Sequence, residues 1–140
     1  ATRTVLIAHL VMDAIIAAFT VLSWREMSDG VLLVWRRVLV VGFALTLVGT
    51  AGLLADPPQI GLLSTALVGW MLVPAAGLAY TGRHVERHPR VYTAGAALSG
   101  LGIPIYVLGL GMAVTTLPVV GLLMVNAGQT AGIVAAVYDY

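Results

Sequence analysis

Asp13 is the one acid inside a long apolar run, and His9 stands four residues before it, one helical turn away on the same face. An ionisable side chain in the hydrocarbon costs roughly 2.5–3.5 kcal/mol on insertion scales, so its presence there points first to function. A carboxylate with an imidazole one turn away is equipped to carry a proton or to bind a cation. Asn126 and Gln129 make a second polar pair, nearly one turn apart in another apolar run, and their carboxamides suit a polar ligand. Counted inward from the outer ends of their spans at 1.5 Å per residue, Asp13, Asn126, Thr46 and Tyr106 share one level, roughly 12–14 Å deep. The candidate ligand- or ion-binding residues are therefore His9, Asp13, Asn126, Gln129, Tyr106 and Thr46. A purely structural reading competes with this one: Asp13 accepts from Asn126 or Tyr106, His9 pairs with Asp13, and the network fastens the first helix to the fifth.

Other chemistry finds less support. His84 and His88 are four apart beside Glu86 but stand among arginines with no third good ligand at helical spacing, so a solvated or headgroup-facing loop is expected rather than a metal site. For haem, His9 lies on the order of 20 Å or more from His84 and His88 along the membrane normal, which excludes a bis-histidine pair within one copy. His9 with Met124, or His9 from two copies, is the arrangement left to a haem, and no cofactor is expected. Serine-nucleophile motifs, glycine-rich phosphate loops and HExxH are missing, and Asp13 has no second membrane-embedded carboxylate as a partner, so the chain is not expected to be an enzyme.

These side chains sit in a chain of 140 residues that is 60% hydrophobic and 9% charged, with a mean hydropathy of +1.01. A soluble domain has about 45–50% apolar and about 25% charged residues, so this composition belongs in a bilayer. At about 20 residues per span, five helices take up most of the chain and leave no room for a soluble domain. There is no cysteine and no lysine, which excludes disulfides, thiolate metal sites, cysteine nucleophiles and lysine Schiff bases. A net charge of +1 gives no reason to expect nucleic acid as a partner.

Apolar runs and their punctuation predict an all-α integral membrane bundle, one domain of residues 1–140 with spans at 4–24, 35–55, 59–82, 91–114 and 117–138. Charge clusters, prolines or hydroxyl pairs stop each run. The boundary before the second span is the softest, because Gly30 to Val34 is apolar enough to add a helical turn. The first run is read as a true span rather than a signal peptide, since His9 and Asp13 interrupt what would be its apolar core. Arg25, Arg36, Arg37, Arg83, Arg87 and Arg90 flank two connections on one face, against Arg3 alone on the other. That bias places the amino terminus outside and the carboxyl end, Asp139 and Tyr140, inside. Trp24, Trp35, Tyr80, Tyr92, Tyr138 and Tyr140 then form an aromatic belt at the inner boundary. Arginine to the exclusion of lysine suggests GC-rich prokaryotic coding, hence a prokaryotic cytoplasmic membrane.

In lipid, helices associate by close backbone approach, so small residues mark the seams. Gly95 with Ser99, Ala96 with Gly100, and Gly128 with Gly132 are each four apart, which makes the fourth and fifth helices the expected tight pair or a dimer seam. Pro74 and Pro104 lie inside their spans, where each frees the carbonyl four residues earlier, at Trp70 and Gly100, and kinks are expected. At an offset of 53, Arg37, Val38, Gly42, Ala44, Leu45 and Gly49 match Arg90, Val91, Gly95, Ala97, Leu98 and Gly102; two readings stand, a parallel repeat of two helical hairpins with a fifth helix added, or chance matches among abundant Gly, Ala, Val and Leu.

Two functions fit these residues. In one, a small homo-oligomer conducts or transports a proton, cation or small polar ligand past Asp13, with more than one copy needed because five short helices enclose little space. In the other, the chain is an accessory subunit of a larger membrane complex, packing through its glycine stripes on partner membrane subunits and doing no chemistry of its own.

Overall fold

The structure, a computed structural model, describes residues 2–139, and Tyr140 lies outside the described residues. Five helices follow in order: α1 (Thr2–Leu22), α2 (Gly30–Leu54), α3 (Ile60–His84), α4 (Pro89–Gly111) and α5 (Thr116–Asp139). There is no strand among the described residues. Each helix is long and apolar enough to cross a membrane, and the chain fits a five-helix membrane bundle. A backbone in hydrocarbon must bond to itself, which is why apolar runs of this length fold as helices.

Span ends move where backbone bonding overrides the apolar pattern. The second helix starts at Gly30 rather than Trp35, because the Asp29 carbonyl takes the Leu33 amide at 3.0 Å and so nucleates the extra turn. Gly30 has φ +55, a left-handed backbone that glycine adopts without strain. The fourth helix ends at Gly111 rather than Val114 in a Schellman turn: Val114 N–H donates to the Gly109 carbonyl at 3.0 Å and Ala113 N–H to Leu110 at 3.4 Å. Ala113 occupies the left-handed position of that turn at φ +55, where Cβ crowds the backbone. Ala113→Gly is therefore expected to stabilise the protein by about 0.5–1 kcal/mol, seen as a higher denaturation midpoint in detergent micelles. An unchanged or lower midpoint would count against strain at Ala113.

Contacts gather the chain into two compact units, residues 1–70 and 71–140. In the first, α1 packs on α2, and α2 receives the start of α3. Gly42 lies under the Trp70 ring and Gly49 faces both His9 and Ala66, each glycine making room for a larger neighbour. The second unit is built on α4 and α5, which pack closely along their length. A Cβ built on Gly95 would lie 2.5 Å from the Gly128 carbonyl oxygen, and one on Gly102 would lie 2.5 Å from that of Gly121. The hydrogens that glycine carries instead point at those oxygens, the arrangement of Cα–H···O contacts between helices. The end of α3 rests on this pair through Leu78, which is almost fully buried and meets both Gly95 and Gly132.

The seam uses Gly95, Ser99 and Gly128, while Gly132 seats Leu78 of α3. Gly100 is exposed, and a Cβ there would meet open space. Gly102, Gly109 and Gly121 complete the seam instead, at intervals of seven on α4 (95, 102, 109) and on α5 (121, 128). Two antiparallel helices that keep one stripe in contact repeat about every 3.5 residues, so every second turn returns the same face.

Candidate polar site

Asp13 projects from the middle of α1 and is 8% exposed. Its Oδ2 accepts a hydrogen bond from the Thr50 hydroxyl of α2 at 2.8 Å, and its Oδ1 is buried with no hydrogen-bond partner. Thr50 Oγ1 also lies 3.0 Å from the Thr46 carbonyl, the ordinary bond of a helical threonine back to the preceding turn. Thr46 repeats the pattern one turn further on, donating to the Gly42 carbonyl at 2.9 Å and accepting from Trp70 Nε1 at 2.9 Å. Asp13, Thr50, Thr46 and Trp70 thus form a continuous polar track through the first unit, set on the stripe of α2 that also carries Gly42 and Gly49.

A hydroxyl at the Thr50 position can serve a carboxyl group in either protonation state. With Asp13 ionised, the Thr50 proton points to Oδ2. With Asp13 protonated, the carboxyl proton can point to Thr50 Oγ1 while Thr50 donates to the Thr46 carbonyl. A calcium or magnesium ion is served poorly: such ions take six or more oxygens, and here one carboxylate and one already engaged hydroxyl converge.

His9 sits one turn from Asp13 on α1, yet it does not bond to it. Its Nδ1 lies 3.2 Å from the Val5 carbonyl, which can only accept, so this bond forms when Nδ1 is protonated, and Nε2 lies beside Gly49. The expected His9–Asp13 pair is not formed because the ring turns back along its own helix. His9 and Thr46 line a half-open cleft of about 590 Å³ with Met12, Leu63, Leu67 and Trp70. Its walls are apolar, and the imidazole, the threonine hydroxyl and the indole supply its polar groups.

The other three candidates belong to the second unit. Gln129 Nε2 donates to the Met71 carbonyl at 3.4 Å, next to the carbonyl that Pro74 was expected to free at Trp70. Asn126 is exposed, and its Oδ1 accepts from Thr130 at 3.5 Å. Tyr106 is half-buried and its backbone lies against Gly121. The second unit also holds a cluster that spacing did not reveal: His88 Nδ1 meets Asp139 Oδ1 at 2.7 Å, and the buried Tyr92 hydroxyl donates to Asp139 Oδ2 at 2.9 Å. His88 has the left-handed backbone, φ 47, at the start of α4, so Asp139 fastens the end of α5 to the first turn of α4. His84 turns elsewhere, stacking on Tyr80 with ring centres 3.9 Å apart. Among the described residues, no three His, Asp, Glu or Cys side chains are grouped to hold a metal ion.

The chain matches no protein-family model, no curated protein and no solved structure. Of the residues that spacing singled out, the structure joins Thr46 to the Asp13 track through Thr50 and places His9 beside Thr46 on the cleft. Thr50 and Trp70 were missed. For Thr50 a signal was available, since it follows Thr46 by one helical turn.

Proposed function

We propose that this integral membrane protein carries protons across the bilayer, with Asp13 as the proton-binding group and Thr50 as the hydroxyl that stabilises both of its protonation states. The observation that supports this most is the buried Asp13 carboxylate, with Oδ2 on Thr50 and Oδ1 unpartnered at membrane depth. A carboxylate kept only for packing would have both oxygens engaged, because each unsatisfied buried group costs about 1–3 kcal/mol. His9 Nε2, on the cleft one turn nearer the helix end, is the next group able to take a proton. The transport is not enzymatic. Several copies would form the complete path, since one copy has few helices to enclose it. Arginine to the exclusion of lysine supports a prokaryotic cytoplasmic membrane, and the placement of the arginines supports an orientation with the arginine-flanked connections inside.

The test is proton flux into liposomes carrying the purified protein and a pH-sensitive dye, driven by a potassium diffusion potential. Asp13→Asn is expected to bring the flux down to that of protein-free vesicles, while the oligomer elutes unchanged from a sizing column. Flux retained by Asp13→Asn would remove the proposal and favour the accessory-subunit reading.

A further inference from the structure

A second cavity, of about 410 Å³, opens at the arginine-flanked end of the first unit. Trp24 and Ser28 of the α1–α2 connection line it together with Leu33, Arg36, Arg37, Val40 and Val41 of α2. Arg36 is held in place twice: its guanidinium lies 4.3 Å above the Trp24 ring, and Nη1 donates to the Trp24 carbonyl at 3.1 Å. A guanidinium has five donors in a planar fork, so one bond to Trp24 leaves most of them for an anion, and its fixed position lowers the entropy cost of binding one. Val40 and Val41 follow Arg36 and Arg37 by one turn, about 6 Å deeper along the helix, and both are exposed. Along α2 the cavity thus places two arginines one turn before two exposed valines, in register with a lipid that presents its phosphate at the boundary and its chain to the hydrocarbon, while Leu33 adds an apolar contact beside the arginines.

We propose that this cavity binds an anionic glycerophospholipid, its phosphate against Arg36 and Arg37 beside Ser28 and its acyl chain along Val40 and Val41. Free phosphate would use the cationic end and leave the valines without a role. Diffuse attraction is also insufficient. The same connection carries Glu26 and Asp29, which offset two of the three charges of Arg25, Arg36 and Arg37. Neither acid lines the cavity, so the selectivity rests on the placement of Arg36 and Arg37.

Native mass spectrometry of the protein released from nanodiscs of equal parts phosphatidylglycerol and phosphatidylcholine tests this directly. The expected result is selective retention of phosphatidylglycerol, weakened about thirtyfold in Arg36→Gln/Arg37→Gln, at about one kcal/mol-equivalent contact per arginine, and less than about threefold in Arg25→Gln. Equal retention of the two lipids by the wild type, which requires no variant to fold, would overturn the proposal. A loss of about fivefold in Arg25→Gln, the same per charge as in the double variant, would assign the effect to diffuse charge and overturn the proposal. Displacement of the lipid by millimolar inorganic phosphate would make the site one for free anions, and would equally overturn it.

Discussion

Replacing Gly128 with valine is expected to destabilise the protein by about 3 kcal/mol or more, measured as loss of helicity against the fraction of denaturing detergent. A Cβ at this position would run into the backbone carbonyl of Gly95 and crowd the Ser99 hydroxyl and amide nitrogen, and helix backbone cannot swing away as the end of a long side chain does. The two helices must separate, and the contacts at Gly102 and Gly121 separate with them because they lie on the same stripe. Gly100→Val is the matched control, on the same helix but facing open space, and is expected to change stability by less than about 0.5 kcal/mol. Equal effects from the two valines would show that α4 and α5 do not rely on this seam.

The same comparison shows what the sequence made legible about packing. That α4 and α5 form the tight pair followed from their small residues, but the search for residues four apart selected Gly100 and passed over Gly102, Gly109 and Gly121. Four-residue spacing describes one helix locally. A seam that persists along two antiparallel helices returns at about seven, and only the pairing of Gly95 with Gly128 and Gly102 with Gly121 decides which register is used.

The alignment of α2 with α4 gains physical content from the same glycines. Gly42 and Gly49 correspond to Gly95 and Gly102, and all four are points of close approach. On α4 the approaching group is helix backbone, whereas on α2 it is the side chains of Trp70, His9 and Ala66. The pattern therefore gives α4 a closed seam, while α2 keeps a polar track and a cleft.

Depth was the weaker guide. Counting residues from span ends put Asp13 level with Thr46, yet its partner on α2 is Thr50, one turn away. Such counting assumes helices with flush ends, and a stagger of one turn moves the match by 5.4 Å. Spacing alone gives no warning that a histidine ring turns toward its own helix, as His9 does toward Val5, or that two helix ends meet, as Asp139 and His88 do.

Asp13→Leu and Thr50→Val are expected to move stability in opposite directions, and this separates a working carboxylate from a structural one. Thr50→Val removes the one hydrogen bond that Asp13 receives among the described residues, leaving both oxygens without a partner there, and should cost about 2–4 kcal/mol. Asp13→Leu removes the buried polar group itself and keeps a similar volume, while Thr50 retains its bond to the Thr46 carbonyl. It should stabilise the fold by about 1 kcal/mol or more and abolish proton flux. Valine at position 50 should then be tolerated in the double variant, because its damage acts through the carboxylate it strands. If Asp13→Leu unfolds the protein instead, Asp13 is glue between α1 and α2, and the loss of flux in any Asp13 variant would have to be assigned to structure. A stabilised protein that no longer conducts is the outcome expected of a functional Asp13, since loss of flux from a fold made more stable is not loss of structure.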